Sequence, residues 1–111
     1  MFGVTEPART PEPPYYAVIF TSRRNVQPGD RYDETAARML GLAAEQPGFL
    51  GVDTAHEGIG ITVSYWSDLE SIKAWKANVE HREAQARGKS EFYSRYKVRI
   101  CTVVREYEFE R

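Results

Sequence analysis

The chain has 111 residues, 41% of them hydrophobic and 28% charged, which fits one globular domain and leaves no room for a second core. Its 15 basic and 16 acidic residues nearly cancel, so no field attracts nucleic acid or an anionic membrane, and no apolar run approaches a membrane span. A single cysteine, Cys101, excludes an internal disulfide; with no signal-peptide pattern at the start, a reducing cytoplasm is the expected setting.

Residues 1–14, MFGVTEPARTPEPP, hold four of the six prolines and show no apolar periodicity, so they read as a flexible or extended arm ahead of a domain spanning 15–111. Tyr15 to Thr21 is aromatic and β-branched, a strand with Tyr16, Val18 and Phe20 on one face and Tyr15, Ala17 and Ile19 on the other. Apolar residues on both faces predict a strand covered on both sides. Gln27-Pro28-Gly29-Asp30 is a turn, with Asp30 placed to cap a helix in which Tyr32, Ala36, Met39 and Ala43 recur at helical spacing. Gln46-Pro47-Gly48 ends that helix.

Phe49 to His56 and Ile59 to Trp66 are two strands joined at Glu57-Gly58, a hairpin. Ser67-Asp68-Leu69-Glu70 reads as a capping box with Ser67 as the cap. Leu69, Ile72, Trp75 and Val79 form the stripe of a second helix, and a further turn or two runs from Glu80 to Arg87 before Gly88. A last strand is predicted from Tyr96 to Phe109, with Val98, Ile100, Thr102 and Val104 on one face and Cys101 and Val103 on the other.

The order β-α-β-β-α-β is the split βαβ arrangement: an α+β, ferredoxin-like fold whose antiparallel sheet carries its helices on one face. The other face holds too much apolar surface to stay in water, and two copies packed sheet to sheet would cover it. A homodimer is therefore expected. Two separated histidines and one strand cysteine make no metal-ligand set, so no metal site is expected. Gly58 and Gly60 lie in a hairpin rather than at a helix start, and no Gly-x-Ser-x-Gly nucleophile motif is present.

The pieces Pro47-Gly48-Phe49-Leu50-Gly51, Tyr65-Trp66 before a capped helix, Ala74-Trp75-Lys76, Glu80-His81 and Ala84-Gln85 together resemble the antibiotic biosynthesis monooxygenase domain family, of the dimeric α+β barrel superfamily. The resemblance runs from Tyr15 to Phe109. It implies a small homodimer that oxidises aromatic, quinol-like or anthrone-like substrates with O2, without metal, flavin or haem. The substrate would supply the electrons once a proton is removed. The protein then needs an apolar pocket, a proton acceptor and donors for the developing oxyanion.

On that reading the catalytic candidates are Trp66, His81 and Tyr93. Trp66 offers an indole N–H, His81 an imidazole with an ordinary pKa of ~6.5, and Tyr93 a phenol. Tyr65, Trp75, Tyr96 and Arg99 are candidates for the walls of a site binding a small aromatic ligand. Arg95 is a further cation at the same strand; His56 falls in the hairpin and reads as exposed. Haem-degrading relatives imply a histidine ligand at a position that falls on Gln85 here, a poor iron ligand, with His81 one turn earlier. No cofactor is therefore expected. Two alternatives remain: a dimeric small-molecule-binding module without catalysis, and a haem-binding or haem-degrading protein in which His81 takes the ligand's place.

Overall fold

The computed structural model describes residues 6–78, 86–87 and 91–111. Within them the elements are β1 (Tyr15–Arg24), α1 (Tyr32–Ala44), β2 (Phe49–Glu57), β3 (Ile59–Trp66), α2 (Leu69–Ala77) and β4 (Tyr93–Val103). The strands form one sheet in the order β2-β3-β1-β4, every neighbouring pair antiparallel. This is the α+β, ferredoxin-like fold expected from the sequence.

β1 is central, and its register decides which residues share a face. Tyr16 pairs with Trp66 and with Thr102, Val18 with Ser64 and Ile100, and Phe20 with Thr62 and Val98. Side chains directly opposite one another point the same way, so these residues form one face. Tyr15, Ala17 and Ile19, with their partners Tyr65, Val63, Arg99 and Cys101, form the other. Both helices cover the first face: Ala43 of α1, Ile72 of α2 and Trp66 of β3 make the buried core, with Tyr16, Val18, Phe49 and Trp75 packed on it.

Local chemistry explains the helix starts. At α1 the expected cap is corrected: Arg31 holds the cap position and makes no side-chain cap bond, while Asp30, one residue earlier, accepts from the Tyr32 N–H at 3.3 Å, and Asp33 and Glu34 sit in the first turn, where the helix dipole favours acid. At α2 the expected capping box is corrected. Asp68, not Ser67, is the cap: its Oδ1 accepts from the Ser71 N–H at 2.7 Å, while Ser67 Oγ donates to its other oxygen. The Asp68 carboxylate, one residue nearer the free N–H groups, takes the place that the Ser67–Glu70 pattern suggested. Gly48, at φ 85°, lies so close to α2 that a Cβ there would sit 2.1 Å from Ser71 Oγ. The hairpin turn falls at Glu57-Gly58 as expected, with Gly58 at φ 78°.

The last strand also differs from expectation. It begins at Tyr93 and ends at Val103, because its only partner is β1 and Val103 is paired with Tyr15, the first residue of β1. Beyond Val103 nothing remains to pair with, and residues 104–111 run on without a ladder. At the other end Arg23 pairs with Arg95 and Arg24 with Tyr93, which lengthens β1 past Thr21. The helical turns expected over Glu80–Arg87 fall mostly outside the described residues; 86–87 are helical.

Residues 6–14 have no regular secondary structure and lie against the sheet face that the helices leave open. Ala8 N–H donates to Asp53 Oδ1 at 2.7 Å, and its methyl lies over Gly51. Thr10 Oγ1 donates to the Tyr15 hydroxyl at 2.9 Å, and that hydroxyl donates to Glu106 at 2.7 Å. Arg9 pairs with Glu110 at 2.9 Å. Arm and C-terminal tail thus meet over one end of the open face, where Tyr15 is buried. Among the described residues no helix is long and apolar enough to cross a membrane.

Candidate active site

The helix face carries two aromatic groups, one at each end of β1. At the first, Trp66 stacks on Trp75 at 6.3 Å between ring centroids, and Phe49 meets Trp66 edge-on at 5.4 Å. At the second, Phe20 contacts Tyr96 at 5.1 Å and Tyr93 at 5.3 Å, while Tyr32 meets Tyr93 at 5.7 Å and Phe92 at 5.5 Å. Tyr16, level with Trp66, and Phe20 are four residues apart, so about 13 Å of strand separates the groups. Between them Val98 and Ile100 of β4 remain 42% and 54% exposed. The result is an apolar floor with an aromatic wall at either end.

The second wall has a polar end. A register shift between Arg23 and Arg24 places Tyr93 opposite Arg24 and on the helix face, toward the first turn of α1. There the Tyr93 hydroxyl donates to the Tyr32 hydroxyl at 3.2 Å. The Arg24 guanidinium lies 3.6 Å above the Tyr32 ring centroid and is paired with Asp30 at 3.1 Å. Arg24 Nε is buried and has no hydrogen-bond partner among the described residues. The Gln27 N–H, followed by the Tyr32 N–H and Arg24, holds the Asp30 carboxyl below the usual carboxylate range, so this ion pair persists at neutral pH. Burial, and next the bond to Tyr32, pushes the Tyr93 phenol up, so it stays protonated and remains a donor.

Chemically, this is a directed chain. Tyr93 supplies its proton to the Tyr32 oxygen, which leaves the Tyr32 proton available to an acceptor on a ligand. A cation stacked on the Tyr32 ring favours negative charge developing nearby.

The sequence-derived candidates are divided by the sheet. Trp66, Trp75, Tyr93 and Tyr96 all lie on the helix face. Trp66 is fully buried and its indole N–H donates to Ser64 Oγ at 3.0 Å, two residues back on the same strand. Tyr65 and Arg99 lie on the open face instead, since alternation turns each away from its neighbour. The Tyr65 hydroxyl donates to Asp53 at 2.7 Å; Arg99 sits across from Ile19 and is exposed. His81 and Gln85 lie outside the described residues. Tyr32 and Arg24 were not foreseen: Tyr32 counted as one member of an apolar helical stripe, and Arg24 followed the predicted end of β1. The usable signal was a charged pair, Arg24 and Asp30, bracketing a Pro-Gly turn beside an aromatic helix start. Among the described residues no group of three or more His, Cys, Asp or Glu side chains is placed to hold a metal ion.

A family model described as antibiotic biosynthesis monooxygenase matches residues 16–87. The uncharacterised protein YqjZ of Bacillus subtilis (strain 168) is 49% identical over 105 residues, which cover 93% of this chain and 91% of that protein. Among solved structures, SnoaB, a cofactor-independent oxygenase from Streptomyces nogalater, matches with a TM-score of 0.68 at 12% identity, over 89% of this chain and 100% of that one. PA3566 from Pseudomonas aeruginosa matches with a TM-score of 0.66 at 14% identity, over 86% of this chain and 98% of its own. At such identities the structures speak for the fold alone.

Proposed function

The chain belongs to the antibiotic biosynthesis monooxygenase family, and on that premise we propose that it is a homodimeric oxygenase which oxidises a small aromatic, anthrone-like or quinol-like substrate with O2. The observation that carries this reading is the Tyr93–Tyr32 phenol pair backed by Arg24 at one end of the helix face. SnoaB, which shares the fold, is described as a cofactor-independent oxygenase, and that supports the class of chemistry.

For an anthrone the reaction balances without an external reductant. Removing a benzylic proton leaves an enolate, whose electron pair forms a C–O bond to O2. The peroxide O–O bond then breaks as the second benzylic proton leaves. The carbon becomes a carbonyl, and the departing oxygen takes two protons and leaves as water. Tyr32, as the outer phenol, is assigned to the enolate oxygen; Tyr93 orients it, and Arg24 favours the charge. His81 is carried forward from the sequence as the proton acceptor. Trp66, fully buried with its N–H engaged by Ser64, packs beneath this face as core. Tyr96 and Trp75 complete the walls, and Tyr65 and Arg99, on the other face, belong to subunit contact rather than to substrate.

The dimer reading rests on the open face. Ile59 and Ile61 there are 51% and 40% exposed, and the helices are spent on the opposite side. Light scattering should give twice the chain mass at micromolar concentration; a monomer mass removes this part. An oxygen electrode with an anthrone and quinol panel tests the chemistry. Parent protein should consume O2, and Tyr32→Phe should lower turnover by about 10²-fold with the dimer intact. A folded Tyr32→Phe dimer at the parent rate would remove the phenol pair from the mechanism. No uptake with any member of the panel would leave a binding module.

A further inference from the structure

Where β1 ends, the open sheet face carries a row of like charges. Arg23 of β1 is paired with Arg95 of β4, and one row further in Thr21 is paired with Lys97. Partners directly opposite point the same way, so two guanidinium groups and an ammonium stand together on the face that the helices leave open. Their strands set the Arg23 and Arg95 Cα atoms about 5 Å apart, and like charges at that spacing destabilise the ladder unless an anion lies between them. All three cations are exposed, and none is in an ion pair with a described carboxylate, whereas Arg9, Arg24, Arg31 and Arg87 each are. Arg23 Nε donates to the Ser94 hydroxyl at 2.8 Å, which leaves the rest of its fork without a described partner.

The carboxylates of the same face are committed elsewhere. Tyr65 and the Ala8 N–H hold Asp53, and Tyr15 and Thr10 hold Glu106. Glu57 is paired with Ile59 on the far side of β3, two strands or about 10 Å from Arg23. Around the two arginines the rim of the sheet forms a cleft of about 330 Å³, walled also by Thr21, Gly58 and the exposed Ile59.

We propose that this cleft is a binding site for a small phosphate ester, separate from the oxygenase site on the helix face and independent of that reading. The two guanidinium forks hold the phosphate between them, the Thr21 hydroxyl donates a further hydrogen bond, and the organic part of the ester lies on Ile59. A phosphate dianion neutralises both arginines, which a single carboxylate does not. Lys97 adds a third cation one row away, about 7 Å along β4. A long polyanion is the wrong occupant: where β1 starts, Glu12, Glu106 and Glu108 line a second cleft, and the chain as a whole has a net charge of -1. The Arg23–Arg95 row is at the rim of the open face rather than its centre, because β1 ends at Arg24 and β4 begins at Tyr93.

Isothermal calorimetry on the full chain tests this with phenyl phosphate, inorganic phosphate and benzoate as probes at matched ionic strength. Phenyl phosphate should bind saturably, at one per chain and more tightly than inorganic phosphate, with benzoate the weakest. Arg95→Gln should weaken phenyl phosphate about tenfold, and Arg105→Gln in the tail should leave it unchanged. Thermal unfolding gives a readout of opposite sign. Without phosphate, Arg95→Gln should raise the midpoint by about 1–4 °C, because it removes the like-charge pair, and most of the stabilisation by phenyl phosphate should be lost. Phenyl phosphate that binds Arg95→Gln as tightly as the parent, or binds the parent no tighter than benzoate, overturns the site. So does a lowered midpoint in ligand-free Arg95→Gln, which would show that the two arginines are satisfied without an anion.

Discussion

The two aromatic groups on the helix face are made of similar residues and do different things. Around Trp66 the rings close on one another, and Ser64 satisfies the Trp66 indole N–H from within the same strand. Around Tyr93 the rings are no less closely packed, but they end in two hydroxyls in series, a stacked guanidinium and one buried N–H without a partner among the described residues. Satisfied polar groups stabilise a core; a directed chain with a spare donor can do chemistry. The aromatic content is therefore a poor guide to the site, and the bookkeeping of donors is a good one.

That contrast can be broken most forcefully at Trp66. Trp66→Ala should cost about 3–5 kcal/mol in denaturant unfolding, since it empties a fully buried ring position. A loss below 1 kcal/mol would mean the first group is not the core it looks like. Tyr93→Phe keeps the ring contacts and deletes only the donor to Tyr32. Turnover should fall by about 10²-fold while the unfolding midpoint moves little, the reverse of the Trp66 result. Equal losses of stability at both sites would erase the distinction between them.

Smaller changes sharpen it. Ser64→Ala strands the Trp66 N–H in the core and should cost about 1–3 kcal/mol, without a matching change in turnover. The smallest expected effect is an acid dependence at α2. The Ser71 N–H, then the Ser71 and Ser67 hydroxyls, hold the Asp68 carboxyl below its ordinary value. A folded-state value below the unfolded one contributes stability above the unfolded pKa, lost as pH falls through the folded one. Titrating thermal stability from neutral to acid pH should therefore show a fall below about pH 4 that is shallower in Asp68→Asn. Coincident curves would show that the cap does not feel protonation.

Much of the fold is legible without coordinates, for reasons that particular residues make plain. Tyr15 to Thr21 reads as a strand from its aromatic and β-branched run, Glu57-Gly58 as a hairpin turn, and the breaker pair Pro47-Gly48 ends α1. Errors cluster where a neighbour in space decides. The capping box at Ser67 matched the pattern, but Asp68 was nearer the free N–H groups. The last strand carries strand-like alternation through Phe109 and still stops at Val103, because β1 begins at Tyr15 and offers no further partner.

Periodicity, composition and turn chemistry determine on their own the element order, the antiparallel sheet with helices on one face and the apolar character of both sides of β1, because these are short-range properties of the chain. Tertiary structure alone decides which aromatic residues keep company with which donors. Strand alternation sends Tyr65 and Arg99 to the face opposite Trp66 and Tyr93, although they are neighbours in sequence or in sheet position. A one-residue register shift beside Arg24 brings Tyr93 to a helix that starts 61 residues earlier, at Tyr32. Local sequence does not encode the meeting of two phenols across that span; the pairing of β1 with β4 and the crossing of α1 do.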